Sequence, residues 1–503
     1  TSSTRNKKSS QTSVSSAIST ISMNYTDIRE KLLVWYTENH RKLPWRILQD
    51  VDQEAEKSQK TNLNVQNELK GPTTTTSSTT TSSSNANVAS QVSPLQQQAY
   101  RIWVSEIMAQ QTQIKTVINY FNRWMIEFPT MASLADASLE EVNKVWAGLG
   151  YYRRAKYLLQ GAQYVRDKLN GRIPSDVKSL LKVPGIGRYT AGAISSIAFG
   201  QVAPIVDGNV LRLISRLEAL TDDIAQNSVR DNIFWPRAEK LVSAGDASRP
   251  GDLNQALMEM GATICLPKIA KCDECPVSSH CMAKQKLDSE DIEDIEACFP
   301  VKTKKGKKKE AACVSCVFER RDAANNSQYL MCKREDGGLL GNLWEFPTFH
   351  FPPAGGIPKD SIQLLLRDLH DNHQETIVRA LGIETLEEWN GIEKHHKGKV
   401  KHIFTHISQE IEVWTIILPE HFDSLDPKDQ TTIKWMDPSD LKVGAISTMV
   451  KKIATAARKA TIPKKTTRKQ IATTKRKASH PPKEAPAPKK IKRKQTKLTD
   501  FAK

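Results

Sequence analysis

No run of about 18 apolar residues occurs anywhere in the chain, so no membrane-spanning helix is expected. No apolar core near the N-terminus reads as a secretory signal either. Hydrophobic residues make up 39% of the 503 and aromatics 6%, which is little for a fully globular chain. Part of the length is therefore expected to be disordered, and the rest suffices for two or three domains. Cysteine is scarce as well: there are eight, and four of them fall between 265 and 281. A secreted, disulfide-framed protein would spread its cysteines through a small domain. One dense cluster in a long chain reads instead as a metal site in a reducing compartment. Acidic residues are what the C-terminus lacks: residues 451–503 hold 19 Lys/Arg against 2 Asp/Glu, the whole of the formal charge of +17. The remainder is balanced, so net charge marks a basic tail and not a basic body, and what the body does has to be argued from motifs.

Residues 1–24 are Ser-rich with no acidic residue, and are expected to be disordered; that composition also fits a mitochondrial presequence. Residues 25–48 begin with helical spacing at Ile28, Leu32, Val34 and Trp35. Residues 49–94 carry a Thr/Ser tract and read as a low-complexity insertion. Across 95–220 the pattern is helical, with Ile107, Ile114, Ile118, Phe121 and Met125 on one stripe. Residues 221–283 are expected to join 25–48 in a second helical module around the cysteines. A charged connector, 284–310, ends in lysines. Short β-like runs at Val314, Val317, Leu330 and Met331 then open an α+β domain over 311–450. The basic tail 451–503 has no core.

Three local patterns carry chemistry. The first is Cys265-x6-Cys272-x2-Cys275-x5-Cys281. Two single cysteines flanking one Cys-x2-Cys pair are unlike the paired spacing of zinc ribbons, and four thiolates this close suit an iron–sulfur cluster, with structural zinc as the alternative. Lys268 and Lys271, in the loop between the first two cysteines, are candidates for phosphate contact or ordinary surface lysines. The second pattern is Val183-Pro184-Gly185-Ile186-Gly187, where the glycines permit a tight turn opening into a helix whose free N–H groups suit a phosphate. The third is Val206-Asp207-Gly208-Asn209, again at a helix start. There Asp207 reads as an N-cap carboxylate that the helix dipole holds ionised, with a lowered pKa.

Taken together these motifs resemble the endonuclease III superfamily of DNA glycosylases. Leu43-Pro44-Trp45-Arg46, Trp103-Val104-Ser105-Glu106 running on to Gln110-Gln111-Thr112-Gln113, and Gly148-Leu149-Gly150-Tyr151-Tyr152 narrow the resemblance to the MutY-type adenine DNA glycosylases. Ala109 departs from the family's usual Leu. The resemblance implies a multidomain fold: an all-α helix-hairpin-helix core with an iron–sulfur (4Fe–4S) module, followed by an α+β Nudix-like domain. It implies an acid-assisted hydrolysis that releases adenine mispaired with 8-oxoguanine or guanine in double-stranded DNA. Glu106 would be the general acid toward adenine N7, Asp207 the ionised partner and Asn209 its support. Tyr189 stands where strand-cutting relatives carry a Schiff-base lysine, which implies a monofunctional enzyme with Tyr189 beside the acid. Arg41, Leu43, Trp45, Arg46 and Glu259 would line the pocket for the flipped base. Tyr151 would wedge beside 8-oxoguanine, Gln110 would fill the gap in the stack, Gln111 would contact the DNA, and Cys265, Cys272, Cys275 and Cys281 would hold the cluster.

In the second domain, Gly337-Gly338-Leu339-Leu340-Gly341-Asn342-Leu343-Trp344-Glu345-Phe346-Pro347 resembles the Nudix-like reader of the same family. A Nudix hydrolase also needs an acidic helix for Mg²⁺; here Arg367-Asp368-Leu369-His370 stands instead, so binding without hydrolysis is implied. Phe404, Thr405 and His406 match the family's 8-oxoguanine loop, with Thr in place of the usual Ser. Cys313, Cys316 and Cys298 are read as buried strand and connector cysteines rather than a zinc site. In the tail, the run at 488–494 reads as nuclear import or non-specific DNA contact, and Gln495, Leu498 and Phe501 resemble a sliding-clamp box in which Ala502 replaces the second aromatic. The chain is expected to be a monomer, nuclear with mitochondrion as the second address. The rival readings are a bifunctional pyrimidine glycosylase–lyase, a silent DNA-binding scaffold and a nucleotide hydrolase. Tyr189, intact Glu106 and Asp207, and the missing acidic helix count against them in turn.

Overall fold

The structure is a computed structural model, and it describes residues 23–46, 93–303, 306, 308–321, 326–352, 355–383, 385–418 and 431–459. Residues 1–22, most of the 49–94 insertion, and the tail from 460 with Gln495, Leu498 and Phe501 lie outside the described residues. Among those described, no helix is long and apolar enough to cross a membrane.

Among the described residues from 25 to the cysteine cluster the chain is helical, and several of its helices start where a side chain satisfies one of the first free N–H groups. Ser93 caps Pro94–Ala109, and Ser138 with Glu141 forms a reciprocal capping box on Leu139–Trp146. One apolar core is built on Pro94–Ala109, Ile114–Glu127, Leu139–Trp146 and Arg153–Lys168, with Trp103, Trp124 and Trp146 fully buried. A second core joins Tyr25–Asn39 to Gly208–Leu217, Trp235–Val242 and Pro250–Thr263. Helix Gly208–Leu217 therefore packs with the cysteine-bearing module, and the break expected at residue 220 falls one helix too late. Val210, Leu213, Ile214 and Leu217 all face that second core; the sequence shows their helical period but not which neighbour they meet.

The C-terminal domain is one sheet among the described residues: β1 (Lys309–Arg321), β2 (Ser327–Lys333), β3 (Trp344–Glu345), β4 (Thr348–Phe351), β5 (Lys394–Ile403), β6 (Ile407–Ile417) and β7 (Ile433–Met436). The path runs β3-β2-β1-β6-β5, with β4 beside β1 and β7 beside β2. The β1–β6 pair is parallel, from Lys309 opposite Ile407 to Glu319 opposite Ile417. β1 reads as a continuous apolar run because both its faces are covered. Cys313 and Val317 face a core shared with helix Thr448–Ala457, whereas Val314, Cys316 and Phe318 face helix Ser361–Asn372. The coreless tail expected from 451 is corrected accordingly: Ile453, Ala454, Ala456 and Ala457 are buried on that helix, so the domain runs past 450. Cys313 and Cys316 thus sit on opposite faces of one strand, as buried strand cysteines. On Ser361–Asn372, Leu365, Leu366 and Leu369 are buried while Arg367 and Asp368 lie on the other side.

Candidate active site

Glu106 sits in the last turn of Pro94–Ala109, among buried residues, and is itself 8% exposed. Taking a carboxylate out of water favours its neutral form. Burial pushes the Glu106 carboxyl up to about 7; the nearby Asp207 charge adds to the rise, while the Tyr189 hydroxyl and the Arg46 charge oppose it. The Tyr189 hydroxyl lies 2.5 Å from Glu106 Oε2 and 3.1 Å from Met258 Sδ. Tyr189 follows the hairpin as the second residue of Arg188–Ala193. Gly185 makes that hairpin possible: its φ is +82°, and a Cβ there would stand 2.6 Å from Tyr157 Cβ.

Asp207 caps Gly208–Leu217. Its Oδ1 accepts from the N–H groups of Asn209 (2.9 Å) and Val210 (2.8 Å), and its Oδ2 from Asn209 Nδ2 (2.9 Å). These bonds, with the Arg212 charge, favour the carboxylate, but burial outweighs them and the pKa lies above the ordinary value. The lowered pKa expected from the cap alone is corrected accordingly: the cap is present, and the desolvation that opposes it belongs to the tertiary fold. Asn209 is held from the far side. Its Oδ1 accepts from Arg212 Nη2 at 2.9 Å, and Arg212 Nε donates to the Cys265 carbonyl at 2.8 Å. Gly261 permits this approach, since a Cβ there would meet Asn209 Cβ at 2.6 Å.

The segment after Tyr25–Asn39 closes one side. Glu259, 1% exposed, takes Arg41 Nε at 2.5 Å, Arg41 Nη2 at 3.1 Å and Arg46 Nη2 at 3.4 Å. Burial alone would raise the Glu259 carboxyl, but the two guanidinium groups hold it below its ordinary value. Two neighbouring buried glutamates are thereby driven apart, Glu106 toward the neutral acid and Glu259 toward the carboxylate. Leu43 and Trp45 are buried in the first core, Trp45 edge-on to Phe121. Gln110 and Gln111 end the Glu106 helix, with Gln111 exposed in a left-handed conformation (φ 56°).

Tyr151, also left-handed at φ 49°, is 45% exposed, and its hydroxyl lies 2.5 Å from Thr405 Oγ1. Phe404, Thr405 and His406 form the turn between β5 and β6, closed by Phe404 N–H on the Ile407 carbonyl. Thr405 and His406 are exposed, and Phe404 packs edge-on against His402. The candidate wedge and the candidate reading loop, 254 residues apart in sequence, are thus in contact. Sequence reasoning missed Arg154. Its Nη1 donates to the carbonyls of Ile107 (2.8 Å), Met108 (3.1 Å) and Gln110 (2.7 Å), its Nη2 donates to Gly150 (3.2 Å), and it stacks on Tyr151. One side chain therefore ties the end of the Glu106 helix to the Tyr151 loop, and nothing in a surface-like Arg-Arg pair announces it.

Cys265, Cys272, Cys275 and Cys281 line one pocket, none in a disulfide. Burial, then the neighbouring thiols, push up Cys275 to about 12 and Cys281 to about 11. Arg216, 1% exposed, donates from Nη1 to Cys265 Sγ at 3.3 Å. Among the described residues no three His, Cys, Asp or Glu side chains are grouped to hold a single metal ion. A bridge between Cys265 and Ala270 closes the loop carrying exposed Lys268, and Lys271, also exposed, follows it directly.

Residues 104–237 match the family of HhH-GPD superfamily base excision DNA repair proteins, and residues 322–456 match the NUDIX domain family. Mouse adenine DNA glycosylase is 34% identical to the chain over 464 residues, spanning 85% of the chain and 77% of the mouse protein. The human enzyme is 34% identical over 471 residues (85% and 73%), and that of Arabidopsis thaliana 35% over 455 (85% and 63%). The chain belongs to the adenine DNA glycosylase family. It is a base-excision repair glycosylase that hydrolyses N-glycosyl bonds, with a helical core and a sheet-containing Nudix-like domain. In this member of the adenine DNA glycosylase family, Glu106, Tyr189, Asp207 and Asn209 converge on one site, and Arg41, Arg46 and Glu259 form an ion cluster beside it. Tyr151 and Thr405 meet at a second place, joined to the Glu106 helix through Arg154.

Proposed function

We propose that the chain releases adenine opposite 8-oxoguanine or guanine in duplex DNA without cutting the strand, and that Glu106, Asp207, Tyr189 and Asn209 carry the reaction. The observation that carries this reading is the Glu106 carboxyl, raised to about 7 and bonded to Tyr189 at 2.5 Å. An acid with that pKa still holds a proton near neutrality and can give it up in the transition state. Adenine is a poor leaving group until protonated. Glu106 passes its proton to N7, the C1′–N9 bond breaks, and the electron pair leaves with the neutral base. Asp207, whose carboxylate accepts three hydrogen bonds, faces the cationic sugar. Water then adds at C1′ and gives its proton to a carboxylate. Tyr189 lacks the amine for a Schiff base, so the reaction ends in an intact strand with an abasic site.

The four cysteines fit a 4Fe–4S cluster: four unpaired thiols share one pocket, and buried Arg216 offsets the negative charge of a tetrathiolate centre. When bound, the cluster supplies structure, fixing the Cys265–Ala270 loop and, through the Cys265 carbonyl, Arg212. Phe404, Thr405 and His406 are the proposed lesion readers, with Tyr151 as the wedge. Arg41, Leu43, Trp45, Arg46 and Glu259 would surround the flipped base, and Gln110, Gln111, Gly185 and Gly187 would meet the backbone and the gap. Gln495, Leu498 and Phe501 are the proposed sliding-clamp box, and the basic tail suits a nuclear address.

Glu106→Gln tests the reading. It removes the proton and almost no contact area, so adenine release in a single turnover should vanish while duplex binding persists. Release at the wild-type rate would overturn the assignment.

A further inference from the structure

Two charged contacts between the helical core and the sheet domain play no part in the chemistry. Glu140, in the first turn of Leu139–Trp146, accepts from two side chains of the other domain and pairs with a third. Its Oε1 lies 2.9 Å from Lys434 Nζ and 3.3 Å from Trp344 Nε1, and its Oε2 lies 3.9 Å from Lys333 Nζ. Lys333 and Lys434, on the paired strands β2 and β7, both lie over the indole of Trp344, at 5.5 and 4.2 Å from its centre. Trp344 is 1% exposed. Removing the Glu140 charge would leave two ammonium groups crowded on one buried ring, with only the ring's face to oppose their repulsion.

The second contact lies on the next core helix. Lys156, on Arg153–Lys168, donates to Asp336 at 2.6 Å. Asp336 also accepts from Gly337 N–H and Asn342 Nδ2, and so shapes the turn that leads into Trp344. Both contacts hold the same 336–344 stretch. Lys156 is five residues beyond Tyr151, whose hydroxyl meets Thr405. The glycine-rich turn that marks the Nudix resemblance is therefore used here for docking.

We infer that Glu140 and Lys156 are positioning residues: they seat the 336–344 turn on the core, set the spacing between Tyr151 and the Phe404–His406 loop, and so determine how strongly the base opposite adenine influences the rate. This rests on the reading of that loop as the lesion reader. Beside these charges the two domains share a buried apolar core, where Tyr152 also donates to the Ile446 carbonyl at 3.3 Å, so salt or one charge reversal at the partly exposed rim tilts the seat without parting the domains. Such a change shifts the seat of the sheet domain and leaves Glu106 and Asp207 in place.

The test compares the ratio of single-turnover rates for adenine opposite 8-oxoguanine and opposite guanine in the full chain. Glu140→Lys should lower that ratio about fivefold, through the 8-oxoguanine duplex alone, an estimate that adds like-charge repulsion to the loss of partly exposed pairs. Lys156→Glu should lower it independently, which guards against one variant failing to fold. Glu140→Lys with Lys434→Glu restores opposite charges and should recover much of the ratio, which a merely structural lesion would not do. An unchanged ratio in Glu140→Lys and Lys156→Glu, or an equal loss on both duplexes without recovery in the charge swap, overturns the inference if Thr405→Ala with His406→Ala lowers the ratio in parallel. If that reader variant also leaves the ratio unchanged, it is the reader assignment that fails.

Discussion

Replacing Glu106 by Gln should stabilise the protein, and the gain should grow with pH. The folded site raises this carboxyl from 4.5 to about 7, chiefly by burial. Below pH 4.5 both the folded and the unfolded chain hold the proton, so the shift has no effect on stability. Above it the unfolded chain releases the proton while the folded site retains it, and stability falls as pH rises. The decline ends once pH passes the folded value of about 7. Because one pKa unit corresponds to about 1.4 kcal/mol, the wild type should lose about 2–3 kcal/mol relative to Glu106→Gln between pH 5 and pH 8. Any change in packing is common to both pH values and cancels in the comparison, while the Tyr189 hydrogen bond is already contained in the folded value. For a helical core of this size the difference corresponds to roughly 5–10 °C in melting temperature. Calorimetric melting of both proteins at the two pH values measures it. A melting-point gap that stays constant with pH would refute the argument that Glu106 is held as a neutral acid by burial.

Tyr189→Lys should gain strand-cutting activity, because an amine then stands beside the acid; borohydride trapping on abasic product should give an adduct absent from the wild type. The purified protein should be brown and carry about four irons per chain; stoichiometric zinc without iron at Cys265, Cys272, Cys275 and Cys281 would contradict the cluster.

Local signals made much of this site legible. The hairpin could be read because Gly185 must adopt a positive φ against Tyr157, and the cap because Asp207 stands directly before a helix with free N–H groups. The cysteine spacing announced a shared pocket for the same reason, since the thiols lie close in sequence. What could not be read depends on long-range contact. The sign of the Asp207 shift follows from burial by other elements, the role of Arg154 from three carbonyls about 45 residues upstream, and that of Glu140 from lysines on β2 and β7. In the sheet domain the glycine-rich turn was visible, but the length of β5 was not. Its His- and Lys-rich alternation resembles a surface segment, and only pairing with β6 makes it a strand. The parallel β1–β6 pair joins segments about 100 residues apart, and no local period marks it.

The most direct test of the central claim is free-base release in a single turnover from three duplexes that differ only in the base opposite one adenine: 8-oxoguanine, guanine or thymine. The expected result is that adenine appears fastest opposite 8-oxoguanine, more slowly opposite guanine and not opposite thymine, with the strand left uncut. Release of a pyrimidine, or equal release of adenine from all three, would contradict the account.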